Sequence, residues 1–245
     1  MNQITTINGL KVHYKNKNEL DALVREIFDD SIYDFDSSVL APLILDCGAH
    51  IGLSVLYFKT RYPEAEVIAF EPNPVNFELL KQNVKSNNLS KVICLPVGVA
   101  DFSGNSVMFG HFGAADGTLG NSIMSSWGKR QDGSSLEVQV IRLSNLIGRQ
   151  PIEFLKLDVE GMEWPVIHDI QHHLNLINHF FVEIHSTNQN FTELEAIKGL
   201  FAKQNFSEKT ISHKALSEFL NGTDNWIEDN KPVITQIIFK KEYTA

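Results

Sequence analysis

Two acids mark the stretch of this chain best suited to chemistry. Asp46 ends the apolar run Leu43-Ile44-Leu45, and Cys47 leads into the glycine-spaced turn Gly48-Ala49-His50-Ile51-Gly52. Glu71 ends a second apolar run, Val67-Ile68-Ala69-Phe70, 25 positions after Asp46. An acid at that spacing suits a ribose diol, because a carboxylate accepts two hydroxyl hydrogens in charge-assisted bonds. Gly48 and Gly52 let the backbone turn and approach a ligand closely. A dinucleotide would need Gly-x-Gly-x-x-Gly, with its pyrophosphate on a helix N-terminus. The Gly-x-Gly is missing here, and Asp46 would repel a pyrophosphate. S-adenosyl-L-methionine has no phosphate and carries a sulfonium and an ammonium, so the residues point to that donor.

The elements that must hold these residues follow from the apolar pattern. Strands are expected at 43–46, 67–71, 92–99, 154–158 and 180–185, with a last strand ending at Phe239. Helices are expected at 53–61, 74–87, 163–174 and 191–204. The strands read as continuous apolar runs, as when helices cover both faces of a sheet. Asn73 is a candidate N-cap with Pro74 at the first helical position. Alternation of strand and helix predicts an α/β fold with a doubly wound, mostly parallel sheet, in a domain spanning 43–245. Residues 1–42 read as an N-terminal addition, with a hairpin around Asn8-Gly9 and a helix over 19–28. Segment 101–139 interrupts the rhythm. Its aromatic and sulfur side chains (Phe109, Phe112, Met124, Trp127), with His111, predict an insertion that acts as a lid or substrate wall.

Composition narrows the class. The 245 residues suffice for one α/β domain with additions. A net charge of −9 argues against nucleic acid or an anionic membrane as the main partner. No run approaches a membrane span, and the first residues lack a basic stretch followed by an apolar one, so no signal peptide is expected. Cys47 and Cys94 read as buried free thiols of a reducing cytoplasm.

Three segments together resemble one family. Asp46-Cys47-Gly48-Ala49-His50-Ile51-Gly52, Phe70-Glu71-Pro72-Asn73-Pro74 and Leu155-Lys156-Leu157-Asp158-Val159-Glu160-Gly161-Met162-Glu163 are similar, in this order, to the FkbM family of S-adenosylmethionine-dependent methyltransferases. The resemblance covers roughly residues 30–200, and its last motif is the most specific. It implies a Rossmann-like seven-stranded sheet with a reversed final hairpin, and methylation mostly of sugar or natural-product hydroxyls. On this resemblance Asp46, Gly48 and Gly52 line the methionine part of the donor, with Cys47, Ala49 and Ser54 in the same site. Glu71 takes the ribose, Pro72 and Asn73 flank the adenosine, and Gly98 and Val99 approach the adenine. Asp158 lies near the donor's amino acid or the acceptor, and Ser122 matches a flap serine.

Methyl transfer to oxygen is an in-line displacement, helped by a base that removes the hydroxyl proton. Candidates are Asp158, Glu160, Glu183 and His185, of which His185 has the most suitable ordinary pKa. Glu183 and His185 are two apart on one strand and face one side. Glu160 and Glu163 also suit the start of a helix, where acids favour its dipole. No metal ion is expected; the variant is Mg2+ held by Asp158, Glu183 and His185. His168 and His172 lack the glutamate of a zinc helix motif and read as a solvated face. The expectation is a methyltransferase using S-adenosyl-L-methionine, releasing S-adenosyl-L-homocysteine, and acting on a small-molecule or glycan hydroxyl. N-methylation and a silent nucleoside-binding domain are the alternatives. A monomer and a homodimer both stay open.

Overall fold

The computed structural model describes residues 3–110, 112, 120–124, 134–187, 192–215 and 232–243. A hairpin opens the chain, β1 (Gln3–Ile7) and β2 (Leu10–Tyr14). Its turn residues Asn8 and Gly9 both take positive φ, 49° and 84°, as a two-residue primed turn requires. Helix α1 (Lys17–Val24) is capped by the Asn16 side chain and continues as one π-helical segment, Arg25–Asp29.

The alternating units come next: β3 (Leu43–Cys47), α2 (Leu53–Arg61), β4 (Glu66–Phe70), α3 (Pro74–Ser86) and β5 (Val92–Leu95). Asn73 caps α3 by accepting from the Val75 N–H at 2.9 Å. After β6 (Gly98–Ala100), β7 (Gly104–Gly110) and β8 (Ser134–Arg142) come β9 (Ile152–Leu157), α4 (Glu163–Ile170) and β10 (Ile177–Ser186). Helix α5 (Thr192–Lys203) precedes the final hairpin, β11 (Phe206–Ala215) and β12 (Val233–Lys241).

Seven strands form one sheet in the order β11-β12-β10-β9-β3-β4-β5. Strands β5, β4, β3, β9 and β10 are parallel, and β12 runs against its neighbours. This is the expected α/β, doubly wound sheet with a reversed hairpin. Alternate side chains of each strand feed two cores. Leu45, Leu155, Phe180 and Val182 pack with α4 and α5 on one face. Ile44, Phe154 and Phe181 pack with α2 and α3 on the other. Burying each such side chain is worth about 1.5–3 kcal/mol.

Three expectations need correction. Strand 92–99 is two strands, because Pro96 lacks the N–H that would continue the ladder. Beyond it, β6 leaves the main sheet and pairs with β8, which pairs in turn with β7, in a small second sheet. The insertion is therefore partly ordered antiparallel structure, although His111 and Trp127 lie outside the described residues. Residues 1–42 are also not set apart: Leu20, Ile27, Tyr33 and Phe35 belong to the same core as α2. Tyr33 meets Phe181 edge-on at 4.7 Å, and Phe35 packs on Phe154 at the same distance. Asn83, fully buried, ties the hairpin to the turn after β3. Its amide accepts from His13 N–H at 2.6 Å and donates to Ile51 O at 2.7 Å. Among the described residues no helix is long and apolar enough to cross a membrane.

Candidate active site

The carboxyl ends of β3, β4, β9 and β10 meet at the point where strand order reverses, between β3 and β9, the usual ligand position in such sheets. A cleft enclosing about 890 Å³, open solvent at its mouth included, lies there. Gly48, Ala49, Ser54, Glu71 and Pro72 line it, with Gly98 packed beside Pro72 and Val99 next to it. Asp158 and Glu160, which follow β9, also line it. The N-terminal segment adds Leu23, Ile27 and Tyr33, and the insertion adds Met108, Asn121 and Ile123.

Glu71 is presented by the chain itself. Its carboxylate accepts from His50 N–H and Asn73 N–H, both at 2.8 Å. It is only 6% exposed. Burial pushes its pKa up to about 7, and the two backbone bonds pull the other way. Beside it the side-chain amide nitrogen of Asn73 is buried with no hydrogen-bond partner among the described residues.

Asp46 sits elsewhere than the sequence suggests. It does not line the cleft; it is fully buried beneath the turn. Ser54 donates its hydroxyl to Asp46 Oδ2 at 2.5 Å, and Lys156 Nζ stands 3.6 Å from Oδ1. Burial raises the carboxyl's pKa, while Lys156 and Ser54 act in the opposite sense. The charge expected to meet a donor cation is thus already matched from inside the protein. Cys47, Gly52 and Asn73 likewise lie behind the cleft wall. Burial pushes the Cys47 thiol up, and Cys94 is half-buried rather than buried.

Lys156 was not legible as a site residue. Its ammonium donates to Gly48 O at 2.7 Å and to Asp158 Oδ2 at 3.1 Å. It also lies 5.8 Å from the centre of the Tyr33 ring. Burial opposes its charge, but Asp158 and Asp46 outweigh that and hold it above the ordinary lysine value. The one sequence signal was a lysine inside an apolar strand.

His185 is enclosed by acids. Its Nδ1 is 3.0 Å from Glu163 Oε1, and its Nε2 is 3.1 Å from Glu160 Oε2 and 3.4 Å from Glu183 Oε1. Burial disfavours its charge, yet Glu160 and Glu163 prevail and raise its pKa well above the ordinary value. It is 3% exposed and does not line the cleft. The structure therefore brings His185, Glu160 and Glu183 together, but it does not offer His185 to an acceptor as a base.

Glu160 takes a left-handed φ of 54°. Its Oε1 accepts from Gly120 N–H at 2.9 Å, and its carbonyl accepts the Ser122 hydroxyl. The expected flap serine thus seats the insertion on the Glu160 loop. Glu163 holds the same loop by accepting from Gly161 N–H at 3.0 Å. Glu26 and Gln236 were also missed. Gln236 Nε2 donates to Glu183 Oε2 at 2.7 Å and to Glu26. Burial first, then Glu183, pushes the Glu26 carboxyl up to about 7. Glu26 reads in sequence as a polar residue on a helix, and only its apolar neighbours hint at the cleft. His168 and His172 are exposed, as a solvated face requires.

Comparison with known proteins agrees with this geometry. The chain is 30% identical over 210 residues to methyltransferase sdnD of Sordaria araneosa, covering 74% of this chain and 81% of that one. It is 28% identical to the 31-O-demethyl-FK506 methyltransferase FkbM of Streptomyces tacrolimicus, covering 67% and 74%. The crystal structure of a methyltransferase FkbM from Methylobacillus flagellatus shares the fold, with a TM-score of 0.51, 16% identity and coverage of 86% of this chain and 46% of that one. Residues 46–221 match the family model described as the methyltransferase FkbM domain. With the motif acids and most of the chain's length falling within that match, the chain belongs to the FkbM methyltransferase family.

Proposed function

We propose that the protein transfers a methyl group from S-adenosyl-L-methionine to a hydroxyl oxygen of a small molecule, sugar or glycan, releasing S-adenosyl-L-homocysteine. The observation that carries the donor reading is Glu71, aimed at the cleft by two backbone N–H groups at the end of β4. Transfer to oxygen is supported by the name of the Streptomyces relative and by the carboxylates of Asp158 and Glu160 that line the cleft. The two free thiols support a reducing cytoplasm as its setting.

When bound, S-adenosyl-L-methionine supplies an electrophilic methyl group. The chain does the rest. Glu71 accepts the two ribose hydroxyls, and the Gly48 turn and Ser54 hold the chain close to the donor. Leu23, Ile27 and Tyr33 exclude water from that wall. Glu160 lies on the acceptor side and receives the hydroxyl proton. Asp158 is paired to the permanent cation Lys156 and orients the acceptor. Alignment of this kind is worth about 7–11 kcal/mol of barrier, and a positioned base about 10²–10⁴-fold.

The test uses S-adenosyl-L-homocysteine in calorimetry. A deprotonated Glu71 accepts both ribose hydrogens and a protonated one does not, so affinity rises with pH as it passes through about 7. In Glu71→Gln affinity falls about tenfold or more and that pH dependence disappears. No binding by the wild type, or an unchanged pH profile in the variant, rejects the donor site. Radiolabelled donor with cell extract, followed by product analysis, then identifies the accepting atom. Glu160→Gln is expected to bind the donor normally and to transfer about 10²-fold more slowly or worse.

A further inference from the structure

We propose that Asp158, Glu183 and His185 form a binding site for one divalent metal ion of the Mg2+ or Mn2+ class, at the acceptor end of the cleft. This rests on the methyltransferase reading above and adds to it what would hold the acceptor oxygen. One nitrogen and two carboxylate oxygens of these residues lie within 4.8 Å of one another, close enough for one ion to reach all three.

The three side chains are each held from behind by a residue outside the set. Glu163 engages His185 Nδ1 at 3.0 Å, which leaves Nε2 as the ring nitrogen on the side of Glu160 and Glu183. Gln236, from β12, holds Glu183 Oε2 at 2.7 Å, and Glu183 Oε1 is the oxygen nearest Nε2. Lys156, from β9, holds Asp158 Oδ2 at 3.1 Å. A carboxylate behind the far nitrogen of a histidine, and fixed partners behind ligating carboxylates, are the supports that metal ligands generally have.

One proton on Nε2 meets in line only one of the two carboxylate oxygens gathered there. An N–H at Nε2 points one hydrogen at one acceptor, yet Glu160 Oε2 and Glu183 Oε1 both stand within 3.4 Å of it. An ion accepts from several directions at once. The donor set also indicates the kind of ion. Carboxylate oxygens outnumber nitrogen, no thiolate is present, and hard divalent cations prefer such ligands. Asp158 lies on the cleft wall, so the ion would be reachable by an acceptor hydroxyl. Bound there, it would lower that hydroxyl's pKa, with the proton passing to Glu160.

The experiment titrates Mn2+ into the whole protein saturated with S-adenosyl-L-homocysteine, followed by calorimetry and by the Mn2+ electron spin resonance signal. One ion per chain is expected. Asp158→Asn and His185→Ala are expected to weaken it at least tenfold. Gln236→Leu, which removes only a support, is expected to weaken it about 10–100-fold. Glu183→Gln serves as the conservative variant should His185→Ala fail to fold, judged by its circular dichroism and thermal transition. Absence of Mn2+ binding at millimolar concentration overturns the proposal, and so does binding that none of these changes affects. S-adenosyl-L-homocysteine binding with no Mn2+ binding rejects the metal site alone. Loss of both in the wild type rejects the methyltransferase reading beneath it.

Discussion

Replacing Lys156 by methionine is expected to destabilise the protein by about 3–5 kcal/mol, the usual cost of leaving a buried charge without its partner. The side chain of Lys156 is 3% exposed and that of Asp46 is fully buried, so no solvent can substitute for the lost ammonium. Asp46 would keep only the Ser54 hydroxyl. The remedy open to it is to take up a proton, which sets the pH dependence. A carboxyl whose folded pKa lies above its unfolded value contributes stability below the unfolded value and loses it as pH rises through the folded one. Burial already raises Asp46, and losing Lys156 raises it further. The variant is therefore expected to lag the wild type least near pH 4 and most near pH 8. Urea unfolding across that range measures this. A difference under about 1 kcal/mol at pH 8 contradicts the assignment. Asp46→Asn combined with Lys156→Met is expected to recover part of the loss, because the two residues share one interaction.

The second large effect is expected at Gly48→Ala. Gly48 has φ of +90°, and a Cβ there would stand 1.9 Å from the carbonyl oxygen of Asp158. That oxygen cannot readily withdraw. Asp158 N–H is bonded to Cys47 O at 3.1 Å, and Gly48 N–H to Phe70 O at 3.1 Å, so three strand ends are laced together at this turn. The left-handed conformation costs about 1–2 kcal/mol for a residue with a Cβ, and forced displacement about 1–3 kcal/mol more. The turn also carries the carbonyl that Lys156 holds. Loss of S-adenosyl-L-homocysteine binding is therefore expected together with lower stability. Gly9→Ala is the control. Gly9 has φ of +84° with no atom within 4 Å of where a Cβ would stand, so the substitution carries only the conformational cost and leaves ligand binding intact. Equal losses from the two substitutions would show that the approach to Asp158 is not what demands glycine.

Much of this architecture was legible because its causes are local. Apolar runs flanked by turn residues became β3, β4 and β9 within a residue or two. Asn8-Gly9 and Asn73-Pro74 acted through backbone conformation and capping, which depend on near neighbours. Failures arose where the reading followed apolarity past a backbone constraint, as at Pro96, or stopped at an apparent boundary. Residues 1–42 looked like an addition, yet Tyr33 and Phe35 stack into the core against residues more than 100 positions away.

The site divides along the same line. Chain pattern alone was enough to place acids at strand ends and glycines in the turn after β3, since strand burial and φ preferences act along the chain. It could not say which acid meets which cation. That depended on register. Parallel pairing of β3 with β9 sets Asp46 beside Lys156, and antiparallel pairing of β10 with β12 sets Glu183 beside Gln236. A slip of one residue would turn either pair to opposite faces. Asp46 became a buried partner of Lys156, and His185 became the centre of three carboxylates, because side chains 110 and 25 positions apart were brought within a few ångströms of one another. Charge pairing in a buried site is a property of that three-dimensional neighbourhood, and no spacing along the chain encodes it.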